Sequence, residues 1–123
     1  MKPTDRGRMG EDLAVAYLLK QGFRIVTRNY RFGKAEIDIV AQKGNRLSVI
    51  EVKWRSSADF GLPQSFVTPK KQRLLVSATN HFVQTHDLDV EVSLDIISIL
   101  KDNNRHIIEF IENAYYFFWQ YVK

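Results

Sequence analysis

Between Ala35 and Arg55 the chain reads AEIDIVAQKGNRLSVIEVKWR, and this stretch leaves little choice of local structure. Glu36-Ile37-Asp38-Ile39 alternates polar with apolar residues, and so does Ile50-Glu51-Val52-Lys53. Strict alternation marks a half-buried strand. Gly44-Asn45 between the two runs is a two-residue hairpin signal, with glycine supplying the positive φ such a turn requires. The stretch is expected to fold back on itself as an antiparallel hairpin.

That turn sets a register. With Gly44 and Asn45 as the loop, Lys43 faces Arg46, Asp38 faces Glu51 and Glu36 faces Lys53. The four last-named side chains are then expected on one face. Directly opposed residues have Cβ atoms roughly 4.5–5.5 Å apart. Two facing carboxylates repel unless a positive charge lies between them. A divalent cation is the natural occupant, and oxygen ligands suit Mg²⁺ or Mn²⁺. The plain alternative is a hairpin whose open face carries solvated charges. It explains less, because the flanking residues are strongly apolar and Lys or Thr would serve an exposed strand better.

The 123 residues suffice for a single domain, 1–123, with one core. Cysteine is absent, which excludes disulfides and cysteine-ligated metal sites and fits a cytoplasmic location. The charged start, MKPTDRGRMGED, has no apolar segment of the kind that directs secretion. No apolar run approaches the ~20 residues of a membrane helix, so no membrane partner is expected. Residues 1–73 hold 15 Lys and Arg against 7 Asp and Glu, and the remaining fifty hold 3 against 7. Such asymmetry points to a negatively charged partner on one side of the molecule, and nucleic acid fits. A basic balance that merely aids solubility is the competing explanation.

In chain order, Thr4 or Asp5 is a helix cap, and the helix is expected to run to about Gln21 with Gly22 just beyond it. Leu13, Ala14, Ala16, Tyr17 and Leu18 form its apolar stripe. Phe23–Tyr30 reads as a first strand, ahead of the hairpin. Residues 55–65, RSSADFGLPQS, are a loop of the length that often carries function. Thr68-Pro69 opens a second helix, with Thr as N-cap and Pro at the first helical position. Leu74, Leu75, Ala78, Phe82 and Val83 would be its buried side. Lys70, Lys71 and Arg73 crowd its first turn, where cations oppose the helix dipole. A bound phosphate would remove that conflict, and Lys71 is the preferred contact. Val90–Leu100 is an apolar fourth strand with a charge, Asp95, inside it that needs a basic partner or the strand end. Lys101–Asn104 is a turn, and Arg105–Ile111 a fifth strand. His81, His86 and His106 have no metal-ligand spacing and read as surface or packing residues. The aromatic tail, 113–123, is too short to span a bilayer; it packs on its own core or, if exposed, offers a dimer contact.

Asp38, a dozen residues, and then Glu51-Val52-Lys53 resembles the PD-(D/E)xK nuclease superfamily. More narrowly, the chain resembles the YraN-like group of predicted endonucleases, which are similar to archaeal Holliday junction resolvases. The matching pieces are Gly10-Glu11, Gly22-Phe23, Asn29-Tyr30, EIDIVA, VIEVKWR, Phe60-Gly61 and the basic helix start near Lys71. Where the family usually has Gly before its EID run, this chain has Ala35.

The resemblance implies an α/β, restriction-endonuclease-like fold. That is a three-layer α-β-α core with a mixed sheet of about five strands, an N-terminal helix and a second helix after the third strand. It also implies a metal-dependent endonuclease that hydrolyses phosphodiester bonds in DNA, branched DNA being one candidate. Asp38, Glu51 and the Val52 carbonyl would hold Mg²⁺ or Mn²⁺, with Glu11 or Glu36 contributing through water. Lys53 would orient the attacking water or neutralise charge on the phosphate. Arg6, Arg8, Arg55, Gln64, Lys70 and Lys71 would touch the nucleic-acid backbone. The likeness to resolvases points toward a homodimer. Two rivals stand beside this expectation: a nucleic-acid-binding module that kept the fold without catalysis, and an assembly protein that uses the aromatic tail.

Overall fold

Two helices and five strands follow one another as α1 (Pro3–Lys20), β1 (Arg24–Phe32), β2 (Ala35–Lys43), β3 (Arg46–Ser56), α2 (Pro69–Thr85), β4 (Glu91–Asp102) and β5 (Arg105–Ile111). The computed structural model describes residues 3–56 and 67–114, and side chains from 7 to 55 and from 67 to 114. Most of the expected loop and the aromatic tail beyond Ala114 lie outside the described residues.

The strands form one sheet in chain order, β1 to β5. Neighbours are antiparallel except β3 and β4, which run parallel from Arg46↔Glu91 to Ser56↔Lys101. A parallel pair needs a crossover rather than a tight turn, and α2 lies within that connection. The two helices cover opposite faces. Ala14 and Leu18 of α1 share a core with Ile39, Ala41, Ile50, Ile97 and Ile99. Leu75, Val76, Ala78 and Phe82 of α2 share the other with Ile37, Val40, Leu47, Val49 and Ile96. The expected three-layer arrangement is present. Strand β4 is buried from Ser93 to Ile99, as its long apolar run requires.

Local signals act as the residues suggest. Gly22 takes φ 91°, and the N–H groups of Gly22 and Phe23 donate to the carbonyls of Leu19 and Leu18. That is the glycine-terminated helix end in which left-handed backbone satisfies the last carbonyls. At α2 the Thr68 hydroxyl accepts the Lys71 N–H, and Pro69 occupies the first turn. Some expectations need correction. Helix α1 begins at Pro3, ahead of the expected cap, because proline suits a first turn. Ala16 is exposed, and Val15 packs instead. Strand β1 continues to Phe32, since Gly33 supplies a turn with φ 60°. Strand β4 extends to Asp102.

The larger correction concerns the hairpin. Lys43 pairs with Arg46 as expected, and the ladder runs to Ile39↔Ile50 and stops there. Strand β2 then changes face. Ile39 and Ala41 lie in the α1-side core, whereas Ile37 and Ala35 lie in the α2-side core. Period-two alternation would place all four together. The switch falls at Asp38, and β1 makes the same switch beside it. Arg28, paired with Ile39, reaches Glu11 and Asp12 of α1, whereas Tyr30, paired with Ile37, packs edge-on against Phe82 of α2. Asn29 between them takes φ 55°, a left-handed conformation that asparagine tolerates better than most residues. Among the described residues no helix is long and apolar enough to cross a membrane.

Candidate functional site

Beyond Ile39↔Ile50 the N–H of Val52 has no main-chain partner on β2. The Asp38 carboxylate takes it instead, accepting it at 2.8 Å. Asp38 therefore points along the sheet toward β3. The gap between the strands opens on two cavities, and Asp38 and Glu51 line both. The larger, about 410 Å³, lies on the α2 side and is also lined by Lys34, Glu36, Thr68, Lys70 and Lys71. The smaller, about 240 Å³, lies on the α1 side with Gly7, Gly10, Glu11, Val52 and Trp54.

Glu51 is almost wholly buried, at 4% exposure. Its Oε1 meets two ammonium groups, Lys53 Nζ at 3.5 Å and Lys71 Nζ in direct contact. Its Oε2 is buried with no hydrogen-bond partner among the described residues. A buried carboxylate oxygen left unsatisfied carries a desolvation cost. Burial first, and then the Glu51 carboxylate, push the Asp38 carboxyl up to about 7, with Glu11 adding to the shift. The Val52 N–H and Lys71 act in the opposite direction.

The expected residues divide accordingly. Asp38 and Glu51 line the same two cavities, and Lys53 stands beside Glu51. The expected Asp38–Glu51 rung is not formed, because the ladder ends at Ile39↔Ile50 and the Asp38 carboxylate takes the Val52 N–H instead. Glu11 reaches the α1-side cavity, where Arg28 holds it at 3.4 Å. It does not complete a cluster: among the described residues no three His, Cys, Asp or Glu side chains converge on one point. Glu36 does not oppose Lys53. The face switch turns it toward β1, where Arg31 pairs with it at 3.2 Å. Lys71, expected to meet a phosphate at the helix end, turns inward onto Glu51. Lys70 is exposed at the rim of the larger cavity, Arg8 is exposed on α1, and Arg55 is half-buried near the end of β3. The side chain of Arg6 and all of Gln64 lie outside the described residues. None of the three histidines lines either cavity. His81 bonds the Tyr30 hydroxyl and stacks on Phe32, His86 bonds the Phe82 carbonyl, and His106 lies edge-on to Trp54.

Asn29 and Lys34 also belong to the site, and neither was assigned a role from the residues alone. The Asn29 amide, oriented to satisfy its neighbours, donates to Glu11 Oε2 and Glu36 Oε1, each at 3.1 Å. It ties together two acids from different elements. The available signal was an asparagine inside a strand pattern, a residue suited to positive φ.

The two carboxylates, with the unsatisfied Oε2 of Glu51, form a hard-oxygen donor set that suits a small divalent cation. Lys53 beside them suits an anion next to that cation.

The chain is similar to UPF0102 proteins of Flavobacterium psychrophilum and Christiangramia forsetii. They are 52% and 49% identical over 115 residues each, covering 94% of this chain and 97% of each relative. A UPF0102 protein of Solibacter usitatus is 43% identical over 116 residues, covering 92% of this chain and 87% of the relative. The model of the uncharacterised protein family UPF0102 matches residues 10–99. That span runs from the helix that brings Glu11, through the Asp38–Glu51 gap and α2, to the last buried residues of β4, and the chain belongs to this family.

Proposed function

We propose that this protein is a divalent-metal-dependent endonuclease that hydrolyses phosphodiester bonds in DNA. The observation that carries the proposal is the buried Oε2 of Glu51, which has no hydrogen-bond partner among the described residues, beside Asp38 and framed by the ammonium of Lys53. Asp38 and Glu51 would hold Mg²⁺ or Mn²⁺, with the Val52 carbonyl as a further oxygen donor. When bound, such an ion lowers the pKa of a water and withdraws charge from a phosphoryl oxygen.

The chain's own residues do the rest. Lys53 is fixed beside Glu51 at 3.5 Å, so its charge is in place before substrate arrives. That is the condition under which electrostatic stabilisation of a pentavalent phosphorane costs no reorganisation. Lys34 and Lys70 line the larger cavity, and Arg55 lies along β3. Contacts from such groups to the sugar–phosphate backbone position a duplex without reading its sequence. The net reaction adds one water across a P–O bond. The water oxygen bonds to phosphorus, the leaving oxygen keeps the bonding pair and gains a proton, and a phosphate monoester remains.

The test is cleavage of linear and branched DNA by purified protein with Mg²⁺ or Mn²⁺, against EDTA. Asp38→Asn should abolish cutting, since it removes one charge yet leaves an oxygen for the Val52 N–H. Equal activity in the variant removes the proposal.

A second reading has its own support. The buried Glu51 carboxylate is paired with the ammonium groups of both Lys53 and Lys71, which suits a DNA-binding module without catalysis. It predicts salt-sensitive DNA binding, no cleavage in any metal, and no change of melting temperature with Mn²⁺.

A further inference from the structure

Lys71 sits where local forces do not favour it. It is the third residue of α2, close to the positive end of the helix dipole. Its Nζ is in direct contact with Oε1 of the buried Glu51, and Asp38 lines the same cavity. The attraction that keeps Lys71 inside therefore comes from the two carboxylates. The geometry gives it a way out. Its side chain is 39% exposed, whereas Glu51 is 4% exposed, and Lys71 lines the larger cavity together with Lys34 and Lys70. Lys53 has no such freedom, because it stands on β3 two positions from Glu51 with its side chain 26% exposed.

We infer that Lys71 is a displaceable counterion. Without a divalent cation its ammonium neutralises Glu51; a cation held by Asp38 and Glu51 drives it out into the larger cavity, beside Lys34 and Lys70. This rests on the proposed metal site. A dication cancels the attraction that drew Lys71 in and repels the ammonium directly. The released charge then joins an anion-binding wall at the N-terminus of α2, where backbone amides also face an anion. Metal and phosphate ligand would thereby bind with positive coupling, each improving the site for the other.

The experiment is calorimetric titration of the full chain with MnCl₂. Lys71→Met removes the competing ammonium and keeps the stem, so Mn²⁺ should bind more tightly than to wild type, by roughly tenfold. Loss of a merely structural contact would weaken metal binding, so the direction of change discriminates. Lys71→Arg keeps the competitor, and Arg73→Met removes an exposed charge from the same helix. Both should match wild type. Asp38→Asn should lose binding.

Equal or weaker Mn²⁺ binding in Lys71→Met, with Asp38→Asn still defective, overturns the displacement and leaves the metal site standing. No binding in either wild type or Lys71→Met overturns both. A readout on unmodified protein covers the case in which Lys71→Met does not fold. The lysine ε-methylene NMR signal of Lys71 should move on titration with Mg²⁺. A Lys71 signal that stays fixed while the carboxyl signals of Asp38 and Glu51 respond overturns the displacement.

Discussion

Asp38 accepts the N–H of Val52 at 2.8 Å, at the point where β2 and β3 stop pairing. One carboxylate thus replaces a ladder hydrogen bond and holds the gap in which Glu51 lies. A buried N–H must find an acceptor, and here the acceptor is also a candidate metal ligand. Backbone satisfaction and site geometry depend on the same atom group.

Stability should depend on pH through Asp38. Its folded carboxyl is pushed up to about 7 from an ordinary value of 3.8, first by burial and then by Glu51. Between those values the folded state holds a proton that the unfolded state has released, so stability falls as pH rises through this window and levels off above it. Urea unfolding in EDTA at pH 4.5 and pH 7.5 should show that loss. Asp38→Asn should remove most of it.

Asn29 should be sensitive in a separable way. Asn29→Ala places a Cβ residue without asparagine's local compensation at φ 55°, at a cost of about 1–2 kcal/mol. Asn29→Gly accepts that backbone and should cost less. Both lose the amide that joins Glu11 to Glu36. Urea midpoints should therefore order wild type, Gly, Ala, while the Mn²⁺ affinity of both variants should fall together.

Asp95 is the buried charge whose removal should hurt most. It is fully buried and accepts from Arg46 at 3.0 Å, from Ser93 at 2.8 Å, from the Asn113 N–H at 2.8 Å, and from the Ser48 hydroxyl. Asp95→Ala leaves Arg46 and three other donors without their acceptor. The expected loss is about 3–5 kcal/mol, read from equilibrium denaturation. Asp95→Asn keeps an acceptor and should lose less.

If the larger cavity carries phosphate, Lys34 and Lys70 should act through charge alone. Each change to Met should weaken duplex binding similarly across unrelated sequences. Each should also reduce the slope of log affinity against log salt by about 1. Anisotropy titrations at several salt concentrations measure this.

Residues alone determined the elements and much of their pairing. Gly44-Asn45 set the hairpin, Thr68-Pro69 the start of α2, Gly22 the end of α1, and the apolar run at 90–100 a buried strand whose Asp95 called for a base or the strand end, of which the fold supplies the base, Arg46. Each is a local signal in which a turn, a cap or a periodicity acts within a few residues. Tertiary structure decided the character of the site. Alternation would keep Glu36, Asp38, Glu51 and Lys53 on one face, yet β1 and β2 rotate together at Asn29 and Asp38, and Glu36 departs toward Arg31. Such a paired switch is invisible within either strand, because it depends on which residue lies beside which. The inward turn of Lys71 has a similar origin. The crossover sets the start of α2 over β3, and a buried carboxylate there outweighs the helix dipole that would have kept the ammonium in solvent.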